Sequence, residues 1–178
     1  MEIKPASSWG RVFNGEPPKI QKRKVKELTI HYTGVPGPIT VDGKKIAQLI
    51  KNTETNHLAR REDNMSAIGY NFLIDKNGTI WEGRGWDYRN GANGNLEGNM
   101  SSISVCVLVG IRDNKLTQPV VDAIRSLREE AEKRMKVVKK RKISVRGHRD
   151  HKPTSCPGER IYTMIQEGVF NQPVGTPR

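Results

Sequence analysis

Ile68-Gly69-Tyr70-Asn71-Phe72-Leu73-Ile74-Asp75, then Lys76-Asn77-Gly78, then Thr79-Ile80-Trp81-Glu82, is the stretch that decides the fold class. Two β-branched and aromatic runs flank Asn77-Gly78, a pair suited to the positive φ of a tight hairpin turn. The two runs must therefore lie antiparallel. Working outward, Ile103-Ser104-Val105-Cys106-Val107-Leu108-Val109 is a nearly continuous apolar run, as expected of a central strand buried on both faces. Leu28 to Tyr32 reads as a strand ended by Gly34, Pro36, Gly37 and Pro38, and Ile143 to Arg146 as a short one. Helical spacing links Ile46, Leu49, Ile50 and Leu58 behind an Asp42 cap, and Val120, Ile124, Leu127, Ala131 and Met135 behind Thr117 and Pro119. Glu129–Lys133, Glu130–Arg134 and Glu132–Lys136 add acid-first pairs at i,i+4 on the second helix. A last helix runs over Glu159–Glu167, with Ile161, Met164 and Ile165 inward. Helices and strands interleave around one obligatory antiparallel pair, which predicts an α/β single domain with a central mixed sheet flanked by helices.

At 178 residues the chain suffices for one domain with a real core. Residues 1–25, rich in Pro, Gly and Lys, are expected as an extended segment packed on the domain. Residues 26–170 form the domain itself, and 171–178 are read as a tail or linker stub. The Asn- and Gly-rich run Trp86–Met100 reads as an irregular surface loop. No run approaches the ~20 apolar residues of a membrane span, so none is expected. Two cysteines, Cys106 and Cys156, make no disulfide scaffold. The formal net charge is +12. Nine basic residues and no acidic one lie between Lys133 and Arg149, and five more between Lys19 and Lys26. These two patches exceed the whole net charge and point to an anionic polymer: nucleic acid, acidic lipid or wall glycopolymer. A merely solubilising cationic face is the bland alternative.

His31 ends the first strand, His148 follows the Ile143–Arg146 strand, and Cys156 lies eight residues further on, before Pro157-Gly158. Two imidazoles and a thiolate arriving from strand ends and a helix start satisfy three positions of a zinc site, the fourth being left for water. By spacing alone, two ordinary imidazoles and a small buried thiol account for the same residues equally well.

The segment Ile68–Ile74, Asn77-Gly78 and Trp81-Glu82-Gly83-Arg84-Gly85-Trp86 is similar to the central signature of peptidoglycan recognition proteins and type-2 N-acetylmuramoyl-L-alanine amidases, phage lysozymes of the amidase type included. Ile30-His31-Tyr32-Thr33-Gly34 resembles the first ligand segment of that family. Gly147-His148-Arg149-Asp150 with Thr154, Cys156, Pro157 and Gly158 resembles the last, and Ser8-Trp9-Gly10 an early element. The resemblance covers about residues 8–170 and implies Zn2+ held by His31, His148 and Cys156. It places Tyr70 and Thr154 at the reaction centre. Arg84 and Trp86 are expected to contact sugar or peptide from their loop, a brace for that loop being an equal reading of Trp86, and Asn93 is a further expected substrate contact. The implied activity is hydrolysis of the lactyl–L-Ala amide of bacterial peptidoglycan, with anionic wall polymers as further partners through the basic patches.

This sequence departs from the family pattern in three places. Cys106, in Ser102-Ile103-Ser104-Val105-Cys106, stands where many amidases have a glutamate proposed as general base; the phage branch also lacks that glutamate. Asn93 replaces a family histidine in Gly91-Ala92-Asn93, an altered substrate contact or support for a ligand. Asp87-Tyr88 matches neither common choice at the pair that sorts peptide stems. His57 reads as structural, His151 as variable, and Cys106 as inert core.

A non-catalytic recognition module is the first rival, opposed by Cys156, which members that only bind usually lack. A nucleic-acid-binding protein is the second, opposed by the lack of aromatic residues within Lys133–Arg149. No nucleic-acid partner is therefore expected, and the protein is read as a monomer. The opening Met1-Glu2-Ile3-Lys4-Pro5 shows no signal peptide. This fits a phage endolysin made in the host cytoplasm and acting at the wall; a domain cloned without its leader would look the same. Neutralising several lysines in Lys136–Lys142 should weaken binding to purified walls at low salt while leaving cleavage of a small soluble muropeptide intact. Equal loss of both would place the patch in the active site.

Overall fold

The hairpin forms where the sequence predicts it, by a variant of the expected turn. Gly78 N–H closes onto Asp75 O at 2.9 Å with Gly78 alone at positive φ (+81°), a tight turn followed by a left-handed glycine. Asp75 braces it from below: Oδ1 accepts from Asn77 and Thr79 N–H, and Oδ2 from Trp81 Nε1 at 3.0 Å. A Cβ on Gly78 would lie 2.6 Å from Pro119 O, so the turn docks by backbone contact on a neighbouring helix.

The structure is a computed structural model describing residues 1–36, 39, 42–60, 64–135 and 142–178. In chain order its elements are β1 (Ile3–Lys4), β2 (Glu27–Tyr32), α1 (Gly43–Leu58), β3 (Phe72–Ile74), β4 (Ile80–Glu82), α2 (Leu96–Ser101), β5 (Ser102–Val107), α3 (Gln118–Arg134), β6 (Ser144–Gly147) and α4 (Glu159–Gln166). The strands form one sheet in the order β1-β4-β3-β5-β2-β6. Only β3 and β4 pair antiparallel. The expected mixed sheet is present, and no described helix is long and apolar enough to cross a membrane.

Period-two alternation gives the sheet two unlike faces. Leu28 and Ile30 of β2, Phe72 and Ile74 of β3, and Ile103, Val105 and Val107 of β5 point into the larger core beneath α3 and α4. The next residues along, Leu73 and Cys106, point the other way, into a smaller core closed by Ile46 and Ile50 of α1 and by Ala6 and Trp9. On that second face Thr29, His31 and Ser104 are also buried. Burying each large apolar side chain contributes on the order of 1.5–3 kcal/mol.

The residues before β2 are tied to the domain along their length. β1 adds an edge strand, Trp9 Nε1 donates to Glu82 O at 2.8 Å, and Val12 N–H donates to buried Glu54 of α1. Residues 171–178 lie along α3: Gln118 and Arg125 both donate to Thr176 O, and Gly175 N–H donates to Asp122. The Trp86–Met100 loop is less irregular than expected. Asn95 caps α2, its Oδ1 accepting from Gly98 N–H at 2.7 Å, so asparagines that read as loop composition are in fact capping groups. On α3, Arg134 pairs with Glu130 as expected, whereas Lys133 turns to Glu130 at 3.8 Å. Lys136 and most of the basic run 136–142 lie outside the described residues.

Gly78→Ala should destabilise the fold by about 1–2 kcal/mol, from left-handed strain plus the clash with Pro119 O. Urea unfolding followed by tryptophan fluorescence reads this directly, and an unchanged midpoint would place the turn elsewhere.

Candidate metal centre and cleft

The carboxyl ends of the parallel strands β2 and β6 open into a crevice, the usual place for a site in such sheets. His31 is the fifth residue of β2, and its alternation turns it away from Ile30 and the large core. His148 follows β6 directly. Cys156 sits in the turn before α4, where its N–H bonds Thr154 Oγ1 at 3.2 Å and its carbonyl accepts from Arg149 N–H at 3.1 Å. One ligand atom from each of the three residues lies within 4.8 Å of the others. The two imidazole centroids are 4.5 Å apart, and Cys156 Sγ is 3.9 Å from His31 Nδ1.

The donor set fits a metal ion. His31 bonds Asn93 Oδ1 through Nε2 at 3.0 Å, which leaves Nδ1 toward the thiol. His148 Nε2 is buried with no hydrogen-bond partner, the mark of an atom built to meet something else. Burial, with His148 beside it, holds His31 well below the usual imidazole range; burial, with His151 and Lys152, lowers His148 to about 4. Burial also pushes the Cys156 thiol up to about 11. At neutral pH the cluster therefore holds two neutral imidazoles and one protonated thiol, with both imidazoles in the form a metal requires.

These three residues line a cleft of about 380 Å³, with Tyr70, His57, Arg60, Met65, Lys152 and Thr154 among its walls. The Tyr70 ring lies 5.3 Å from the His31 ring and 5.4 Å from that of His57. Burial, and next the nearby Cys106 sulfur, raise the Tyr70 phenol well above its ordinary value. Met65, Gly91 and Gly94 also border a second cleft of about 630 Å³.

Tyr70 and Thr154 thus join the three ligand residues, while the three expected substrate contacts do not. Arg84 is buried, and its guanidinium donates to the Ile68, Ala67 and Arg89 carbonyls, bracing two loops. Burial, with Arg89 beside it, lowers its pKa to about 10. Trp86 lies on the other side of the sheet, its ring 4.5 Å from Phe72 and under Arg134. Asn93 is fully buried, and both ends of its amide are engaged within the protein. His151 stands apart from the cluster, bonding Thr29 Oγ1 at 3.0 Å. His57 Nδ1 accepts from Gly69 N–H, a structural bond, though its ring also lines the cleft.

Sequence reasoning missed the buried polar framework behind the site. Asn71 Nδ2 reaches the Gly85 and Tyr88 carbonyls while its Oδ1 accepts from Ser104 N–H. Asn90 holds Ser102 O and Asn99 O, and Glu54 is buried on the inner face of α1 beside Ile46 and Ile50. The one available signal was position: Asn71 and Ser104 fall at inward places of buried strands.

The mixed-sheet α/β domain thus brings two histidines from strand ends and a cysteine from the turn before α4 into one cleft. Residues 21–159 match the N-acetylmuramoyl-L-alanine amidase (Amidase_2) family model, and the chain belongs to that family. It is 28% identical over 131 residues to Drosophila melanogaster peptidoglycan-recognition protein SD, covering 74% of this chain and 67% of that one. It is 24% identical to a human N-acetylmuramoyl-L-alanine amidase, over 92% of this chain but 28% of the human protein. The crystal structure of the Drosophila SD protein superposes with a TM-score of 0.79, at 25% identity and 94% coverage of both chains.

Metal uptake by this cluster must displace the Cys156 proton and no imidazole proton. Between about pH 5 and 9, above the His148 value and below that of Cys156, zinc affinity should rise about tenfold per pH unit. Calorimetry in buffers of different ionisation enthalpy should show about one proton released; none released would remove the thiol from the ligand set.

Proposed function

We propose that this protein is a zinc-dependent N-acetylmuramoyl-L-alanine amidase that hydrolyses the amide between the muramic-acid lactyl group and the first L-alanine of the peptidoglycan stem. The observation that carries it is the meeting of His31 Nδ1, His148 Nε2 and Cys156 Sγ in one cleft with Tyr70 and Thr154. Relatives named both as recognition proteins and as amidases leave either role open; the cysteine favours catalysis.

His31, His148 and Cys156 would hold the ion, and the chemistry it supplies is Lewis acidity toward a water and a carbonyl oxygen. The rest falls to the chain. Tyr70 keeps its phenolic proton at working pH because burial opposes the phenolate, so it can donate to an amide oxygen as negative charge develops there. Such a preorganised donor contributes on the order of 3 kcal/mol to the transition state. Thr154 Oγ1 accepts from Cys156 N–H, which leaves its own hydroxyl proton to orient water or substrate. Among the described residues that line the cleft there is no Asp or Glu, which agrees with cysteine standing at the position of the family glutamate.

The endolysin role is part of the same proposal, supported by the missing family glutamate, which the phage branch also lacks. Exposed Lys19, Lys22, Arg23 and Lys24 suit attachment to anionic wall polymers. Purified cell walls should lose turbidity with the wild type and keep it with a chelated sample or with Cys156→Ser, and mass analysis should show free L-Ala amino termini and intact glycan. Equal clearing by all three, or no clearing while zinc is bound, would overturn the amidase reading.

A further inference from the structure

We propose that Asn93 is the positioning residue for His31, fixing the tautomer in which His31 offers Nδ1 to the ion. The proposal rests on the zinc reading above and assigns Asn93 a role other than the substrate contact the resemblance implied.

The hydrogen-bond network leaves no freedom in the amide. Gly98 O can only accept, so the Asn93 atom 2.8 Å from it is Nδ2. Ser102 Oγ gives its own proton to the same carbonyl at 2.9 Å and therefore accepts the second Nδ2 hydrogen at 2.7 Å. Oδ1 is thereby turned to His31 Nε2 at 3.0 Å, and since it can only accept, Nε2 carries the hydrogen. The His31 lone pair is left on Nδ1, the atom 3.9 Å from Cys156 Sγ.

Asn93 is itself anchored: its N–H donates to Asn99 Oδ1 at 2.9 Å on α2, and the residue is fully buried. It thus supports the His31 ligand from outside, the arrangement that orients a ligating imidazole and raises its basicity. An imidazole here would offer one N–H and one lone pair; the amide makes two donor bonds and an acceptor bond, holding β5, α2 and β2 together.

Long-range 1H–15N spectra of the metal-free protein at pH 7 should show His31 protonated on Nε2. Zinc affinity, read by competition with a chromophoric chelator, should fall 10–100-fold in Asn93→Leu. Asn93→Asp, which keeps an acceptor for His31, should stay within about tenfold of wild type. An Nδ1-protonated His31 in the wild type, or an Asn93→Leu protein with native near-ultraviolet dichroism and undiminished zinc affinity, would overturn the proposal. If Asn93→Leu does not fold, the wild-type spectrum decides alone. If the wild type takes up no zinc, the amidase reading fails, while the spectrum still settles which tautomer Asn93 holds.

Discussion

A sheet that buries both faces but must carry imidazoles on one of them has to satisfy every polar group there without water. This constraint shapes the molecule. In register, β2 sets His31 beside Cys106 of β5 and Thr29 beside Ser104. Leaving any of these groups unbonded would cost roughly 1–3 kcal/mol each. The chain meets the demand with side-chain amides from the connecting loops: Asn71 closes the edge near Ser104, Asn90 the end near Ser102, and Asn93 the imidazole itself. The loop after β4 is therefore long and asparagine-rich because it works as the polar lining of a dry face.

The same constraint explains why the ligand atoms come from where they do. Only residues at the strand ends can turn toward a crevice while the strand interior remains in the core. His31 and His148 occupy such ends on adjacent parallel strands, and the turn before α4 brings Cys156 across from Thr154. Because the strands are packed and the loop is bonded through, the three ligand atoms need little rearrangement to share an ion. A cluster of this rigidity suits catalysis, where small displacements of reacting groups are costly.

Much of this was legible in advance, and the reasons for the misses are physical. Asn77-Gly78 named the hairpin because few pairs accept such a turn, and Ile103–Val109 named the central strand because both its faces are dry. The spacing of His31, His148 and Cys156 admitted a metal site, and family resemblance tipped the balance. Arg84, Trp86 and Asn93 read as substrate contacts because a charged, aromatic or amide side chain near a signature suggests one. The structure shows what each holds within the protein: carbonyls for Arg84, which also borders the second cleft, the Phe72 ring for Trp86, the His31 ring for Asn93. Periodicity reports where apolar groups face inward. It is silent about a polar group at an inward position, and so Glu54 and Asn71 stayed hidden.

The arrangement of charge follows from the parallel pairing. The basic run 19–26 leads into the amino end of β2, and Lys142 precedes β6; Ser144 N–H bonds Lys26 O, so the chain near Lys26 and that near Lys142 run side by side there. The histidine–cysteine cluster lies at the opposite ends of these strands. From Lys26 to His31 is five residues at roughly 3.3 Å each, about 17 Å or some two Debye lengths at physiological salt. Exposed cations at that distance change the potential at the imidazoles little; burial and near neighbours such as His151 and Lys152 set their protonation instead. The cations of Lys19–Lys26 therefore stand clear of the cluster, whereas Arg149 and Lys152 lie beside it and act on its protonation directly, Lys152 lowering the His148 value and Arg149 opposing the rise that burial imposes on Cys156.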